Sequence, residues 1–198
     1  MSDPQKKLLK ALIVGKPNVG KSTLLNSLVG EKVSIVSRKA QTTQRNTTGV
    51  ITKDNSQLIF FDTPGLNKIE KNIRISETFK TVAENVDVLI YMVDNTKKSQ
   101  SIDDQFRNWL NNNENKFRKK ILIINKIDCI EKVNLFEITK KINSVINFDE
   151  TFFISLSKKS GMERFLNWVE KQAYSNEWVF QQTHKSHISK KNFLSELT

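Results

Sequence analysis

Cysteine is nearly missing from this chain: Cys129 stands alone among 198 residues. A single thiol excludes a disulfide framework within the chain, and no histidine or second cysteine accompanies it at zinc-ligand spacing. Cys129 therefore reads as an ordinary loop or core thiol, and the expected compartment is the cytoplasm. No apolar run approaches the roughly 20 residues of a membrane span. The polar start, Met1 to Lys10, precedes an apolar stretch too short for a signal peptide, which leads directly into a glycine-containing loop. The two histidines, His184 and His187, lie in a polar stretch without periodicity and read as solvated residues. There is no internal repeat and no long low-complexity run.

What is present suits a globular domain: 37% hydrophobic and 27% charged residues in a length sufficient for one good core. The net charge is +11. A basic surface favours polyanions such as RNA or anionic lipid. A competing reading is compositional, because Lys, Asn and Ile are abundant together, as A/T-rich codons produce without selection for RNA.

Apolar, β-branched runs alternate with helical patterns. Strands are expected at Leu8 to Val14, Val50 to Thr52, Leu58 to Phe61, Val86 to Val93, Ile121 to Ile124 and Thr151 to Ile154. The second and third would form a hairpin around Asp54-Asn55-Ser56. Most are continuous apolar runs, as expected where both sheet faces are covered. Helices are expected at Lys21 to Val29, Ser76 to Glu84, Ile102 to Leu110, Val133 to Ile146 and Met162 to Lys171, the last opened by a Ser160/Glu163 capping box. This alternation predicts an α/β fold with a mostly parallel sheet and helices on both faces. The expected division is a domain over 6–173, a linker over 174–189, and the start of a further, truncated domain over 190–198.

Three motifs carry the chemistry. Gly15-Lys16-Pro17-Asn18-Val19-Gly20-Lys21-Ser22 matches G-x-x-x-x-G-K-[ST] between an expected strand and an expected helix, with Thr23 following. Its glycines let backbone N–H groups approach phosphate oxygens, and the helix start adds positive dipole. Lys21 is expected to reach the β- and γ-phosphates, and the Ser22 hydroxyl to bind Mg2+. Asp62-Thr63-Pro64-Gly65 ends a strand, where a carboxylate sits near the ligand crevice. Asp62 is expected to hold Mg2+ directly or through water, and the Gly65 N–H to contact the γ-phosphate. Asn125-Lys126-Ile127-Asp128 ends another strand. The Asp128 carboxylate is acceptor-only and matches the adjacent N1–H and N2–H2 donors of guanine, whereas adenine offers a bare lone pair there. Asn125 and Lys126 would brace the loop and the base. A weaker fourth signal is Ser155-Leu156-Ser157-Lys158 after the last expected strand, which resembles the Ser-Ala-Lys loop whose backbone N–H groups face the guanine oxygen in GTPases.

The catalytic machinery departs from the Ras pattern. Leu66 stands where a water-orienting glutamine would follow Gly65, and leucine cannot hydrogen-bond water. Hydrolysis would rest on positioning and electrostatics rather than on a side-chain nucleophile.

With Ser37-Arg38-Lys39-Ala40-Gln41-Thr42-Thr43 between the first two motifs, the chain resembles the bacterial Era GTPases of the TrmE–Era–EngA class, over about residues 8 to 173. The resemblance implies a Ras-like P-loop fold and a switch loop around Glu31 to Thr48, in which Thr43 senses Mg2+ and the γ-phosphate. Catalysis would rest on Lys21, Thr43 and Gly65. It implies Ser-Ala-Lys at the fourth signal, where this chain has Leu156, and tolerates an apolar residue at the Leu66 position. Family partners are GTP and GDP, small-subunit ribosomal RNA and the pre-ribosome, with peripheral contact to the cytoplasmic face of the inner membrane. The family reads RNA with a KH domain and its G-x-x-G loop. Gly161 is the last glycine of this chain, so that loop is expected to be absent from this polypeptide. The Pro17-Asn18 pair admits two readings: Asn18 coordinates K+ beside the phosphates, as in relatives that use K+, or it only braces a turn. Competing overall readings are a guanine-nucleotide-binding module without useful turnover and a related GTPase serving tRNA modification or membrane traffic.

Overall fold

The computed structural model describes residues 5–31, 34–38, 47–62, 77–96, 98 and 100–180. The central strand β1 (Lys7–Gly15) enters α1 (Lys21–Glu31) through the first motif. After β2 (Ser34–Arg38) come the hairpin strands β3 (Thr47–Lys53) and β4 (Ser56–Asp62). Then α2 (Glu77–Ala83), β5 (Val88–Val93), α3 (Asp104–Asn111), β6 (Lys119–Ile124), α4 (Lys132–Asn143), β7 (Glu150–Phe153), α5 (Met162–Gln172) and the short β8 (Tyr174–Ser175) follow.

The sheet order is β2-β3-β4-β1-β5-β6-β7. Strands β4, β1, β5, β6 and β7 run parallel; β2 and β3 are antiparallel additions at one edge. The period-2 alternation of β1 splits the core. Leu9, Ala11 and Ile13 pack with Leu24 and Leu28 of α1 and Phe165 and Val169 of α5. Leu12 and Val14 pack on the other face with Phe79 of α2, Phe106 of α3 and Ile142 of α4. All six residues of β5 are buried, because helices cover both of its faces. The expected mostly parallel α/β sheet is the sheet observed.

Several local expectations are corrected. The segment Glu31 to Thr48 is not a single loop, because Ser34–Arg38 pairs with Thr47–Ile51 as an antiparallel strand. Helix α1 runs through Gly30 to Glu31 rather than ending before the glycine. The Ser160/Glu163 capping box is not made. Gly161 occupies the cap position of α5 at φ +79, without a side-chain cap, and Ser160 instead exchanges two backbone hydrogen bonds with Ser155, both at 3.0 Å. A Cβ on Gly161 would lie 2.3 Å from the Phe153 carbonyl oxygen, so the chain passes too close to β7 for any other residue.

The expected linker is also corrected in its first seven residues. Tyr174 and Ser175 pair antiparallel with Leu8 and Lys7. The buried Gln57 side chain accepts from the Val179 and Phe180 N–H groups, both at 3.0 Å, and donates to the Phe180 carbonyl at 2.9 Å. The Phe180 ring is buried against Leu8, Val50 and Ile59. One amide side chain thus satisfies three polar groups, and the aromatic ring supplies the apolar burial that holds the strap down.

Candidate nucleotide site

Parallel strands end together, so the C-termini of β1, β4, β5, β6 and β7 bring Gly15, Asp62, Asp94, Asn125 and Ser155 to one sheet edge. The loop after β1 carries Lys16, Pro17, Asn18, Val19 and Gly20 around that edge. Its course depends on two glycines. A Cβ on Gly15 would lie 2.2 Å from the Met92 carbonyl oxygen. Gly20 has φ +108, and a Cβ there would lie 2.4 Å from Asn125 Nδ2. Asn18 also takes a left-handed conformation, at φ 65. The buried Val19 side chain anchors the loop in the core.

Lys21 and Ser22 open α1. The Lys21 ammonium is buried and donates to the Gly15 and Lys16 carbonyls, both at 2.9 Å. Burial pushes its pKa below the ordinary lysine value, against the opposing pull of Asp62. Ser22 Oγ donates to Asp62 Oδ2 at 2.7 Å. Burial raises the Asp62 pKa, while the Ser22 hydrogen bond and the Lys21 charge hold it down. A hydroxyl and a buried carboxylate in contact are hard oxygen donors of the kind Mg2+ takes, so these residues fit that ion. Thr23 is exposed on the next position of the helix. Lys16 Nζ donates to the Lys98 carbonyl and to Ser101 Oγ.

The third motif is locked to the first. Asn125, 3% exposed, donates from Nδ2 to the Val19 carbonyl at 2.9 Å and accepts from the Leu156 N–H at 3.3 Å. One amide therefore ties the phosphate loop, the 125–128 loop and the 155–158 loop together. Lys126, in the left-handed conformation, donates to the Asn18 carbonyl at 3.1 Å and to Asp94 Oδ2 at 2.7 Å. Ile127 packs against the core beneath the short turn that presents Asp128. The Asp128 carboxylate is exposed and accepts from Ser155 Oγ at 2.6 Å and Ser157 Oγ at 3.2 Å. The Ser155 hydroxyl is the largest cause holding its pKa below the usual carboxylate value. The Leu156 side chain packs partly buried against the core. Cys129 is an exposed thiol beside Asp128.

Thus Gly15 to Thr23, Asp62, Asn125 to Asp128, Ser155 and Leu156 share one edge. The candidate residues Thr43, Thr63, Pro64, Gly65 and Leu66 lie outside the described residues. Sequence reasoning missed Asp94, and it named Ser157 only within the fourth signal, without a role for its hydroxyl. An aspartate directly ending an all-apolar strand was a usable signal for the first.

Residues 10–126, more than half of the chain, match the model of the 50S ribosome-binding GTPase family. The chain belongs to that family. Among its relatives, the GTPase Era of Sinorhizobium medicae is 30% identical over 94% of this chain and 60% of its own length. A crystal structure of Era in complex with MgGDPNP and nucleotides 1506–1542 of 16S ribosomal RNA is 33% identical, with a TM-score of 0.66, and covers 90% of this chain and 61% of its own. A substituted Aquifex aeolicus Era bound to GDP and AlF4− is 33% identical, with a TM-score of 0.69, and covers 92% of this chain and 62% of its own. The resemblance to the Era GTPases expected from the motifs is therefore borne out, as is the P-loop GTPase fold. The chain spans about three fifths of the length of these family members.

Proposed function

We propose that this chain binds GTP with Mg2+ and hydrolyses it to GDP and phosphate as a slow molecular switch. The observation that carries the reading is the Asn125 amide, bonded at once to the phosphate loop and to the 155–158 loop. It makes the phosphate loop, the 125–128 loop and the 155–158 loop one continuous rim. Along the sheet edge the Ser22/Asp62 pair, the phosphate loop and the Asp128 carboxylate lie in the order of cation, triphosphate and base.

In this reading the loop from Gly15 to Gly20 wraps the phosphates with N–H groups and the N-terminus of α1. Lys21 moves its ammonium from two loop carbonyls to the β- and γ-phosphate oxygens, which offset the burial of its charge. Ser22 and Asp62 would hold Mg2+, which would supply positive charge against that developing on the phosphate oxygens. Water attacks the γ-phosphorus, the bond to the β–γ bridging oxygen breaks, and GDP leaves with phosphate. Gly65 and Thr43 belong to this step by family resemblance. Asp128 exchanges its serine hydroxyl partners for guanine N1–H and N2–H2. Ser155 and Leu156 line the base side. Asn18 is the place for K+ in the same reading, and turnover identical in NaCl and KCl rejects that part.

The wider role follows the Era relatives: the switch works in small-subunit assembly through ribosomal RNA, in the cytoplasm and in peripheral contact with the membrane. The +11 charge supports a polyanionic partner. Calorimetry with Mg2+ present tests the core of the reading, with GDP and GTP expected to bind far more tightly than ADP and ATP. Equal affinities would overturn it. A single-turnover phosphate-release assay then tests hydrolysis, and a gel shift with a 3′ small-subunit RNA fragment tests the partner.

A further inference from the structure

Asp94 follows β5, the strand between the phosphate-loop strand β1 and the base-loop strand β6. Its side chain is only 4% exposed. Oδ1 accepts from the Thr96 N–H at 2.9 Å and the Thr96 hydroxyl at 2.8 Å. Oδ2 accepts from Lys126 Nζ at 2.7 Å, and the same ammonium reaches the Asn18 carbonyl at 3.1 Å. A buried carboxylate fixed on one oxygen thus seizes, with the other, the only cation within the Asn125-Lys126-Ile127-Asp128 motif.

The alternative partner for that cation is close in sequence. Asp128 lies two residues on, with an exposed carboxylate held by the Ser155 and Ser157 hydroxyls and, at 3.5 Å, by the Cys129 thiol. Neutral hydroxyls are donors that the N–H edge of a base can replace. An ammonium bound at Asp128 would have to be displaced as a charge, at the cost of a charge-assisted bond. A lysine carries four rotatable bonds, so something must fix where it goes.

We propose that Asp94 is a specificity-positioning residue for guanine: it diverts Lys126 onto the phosphate-loop side, keeping the Asp128 carboxylate free for the base edge. The proposal rests on the guanine-nucleotide reading above and deepens it. Asp94 touches no part of the nucleotide in this scheme and acts through Lys126. Removing its charge releases the lysine, which then competes with the base for Asp128 and no longer braces the 125–128 loop on Asn18.

The test uses the full chain with Asp94→Asn, Lys126→Met and the double variant, titrated calorimetrically with GDP, ADP and inorganic tripolyphosphate. Asp94→Asn is expected to weaken GDP on the order of tenfold or more, from the loss of a charge-assisted hydrogen bond. Tripolyphosphate affinity should stay unchanged, since the phosphate loop keeps its glycines and Lys21. The double variant should bind GDP no worse than Lys126→Met alone, because the two residues act in series. Thr96→Val, which loosens only Oδ1, gives a smaller loss of the same pattern and serves if Asp94→Asn does not fold. Additive losses, equal losses of GDP and tripolyphosphate, or an unchanged GDP affinity overturn the proposal. A wild-type chain with no preference for GDP over ADP overturns the guanine reading and this inference with it. A preference kept intact in Asp94→Asn overturns this inference alone.

Discussion

Ser22 Oγ meets Asp62 Oδ2 at 2.7 Å, joining the first turn of α1 to the last residue of β4. The pair unites two motifs forty residues apart. The desolvated Asp62 carboxyl has a raised pKa. A raised folded-state pKa means that its stabilising share is complete below the unfolded value and is lost as pH rises through the folded value. Its ionised form is thus a burden that Mg2+ would offset. The rise in Tm caused by Mg2+ with GDP should therefore grow as pH climbs through the Asp62 titration, and Asp62→Asn should remove that growth. It should also weaken Mg2+-dependent GTP binding by about 10- to 100-fold. A Mg2+ effect on Tm that is flat with pH in the wild type would count against Asp62 as a ligand.

Base choice is the second prediction. Asp128→Asn reverses half of the donor–acceptor match, since the amide offers a donor where the carboxylate only accepts. GDP binding should weaken, and xanthosine diphosphate should become the better ligand, on the order of tenfold or more. Competition between the two diphosphates in one titration measures it. Unchanged GDP affinity would remove Asp128 from the site.

The Ser155 hydroxyl, at 2.6 Å, keeps the Asp128 pKa below the ordinary carboxylate value. A lowered folded-state pKa means that the contribution is present above the unfolded value and is lost as pH falls through the folded one. Guanine binding through Asp128 should therefore persist to pH values below the usual carboxylate range. Ser155→Ala should move the acid limb of GDP affinity upward. GDP dissociation constants measured from neutral to acid pH check this, and coincident limbs for both proteins would refute it.

The strap predicts an effect on stability separable from binding. Phe180 packs at the Leu8 end of β1, away from Gly15, and Gln57 holds its backbone. Phe180→Ala should cost about 3 kcal/mol in urea unfolding, the usual scale for emptying a buried aromatic position. It should also speed amide exchange at Val179, while GDP affinity stays within about twofold. Wild-type unfolding free energy in the variant would show that the strap contributes no stability.

The candidate site was legible in the sequence because it depends on short contiguous strings. A phosphate loop needs its glycines, lysine and serine within eight residues, and the proposed guanine reader needs Asp128 just past a strand. The apolar runs at residues 88–93 and 121–124 likewise announced buried parallel strands, since covering both faces leaves no polar alternation to obscure them. Where a local signal was ambiguous, it misled. Ser160 and Glu163 had capping-box spacing, but the close approach of Gly161 to Phe153 decided that helix start. Polar Thr47 and Thr48 looked like loop, but pairing with β4 on one side and β2 on the other made them strand.

The order of residues alone determined which groups are candidates for phosphate, cation and guanine, because each group belongs to one loop. Only the folded chain decided how those loops are held to one another. Asn125 on Val19, Lys126 on Asp94 and Gln57 on the Val179–Phe180 backbone join residues 32 to 123 positions apart. Such bonds leave no periodic or compositional trace, since a buried amide or carboxylate acquires its partner from packing and not from its neighbours in the chain.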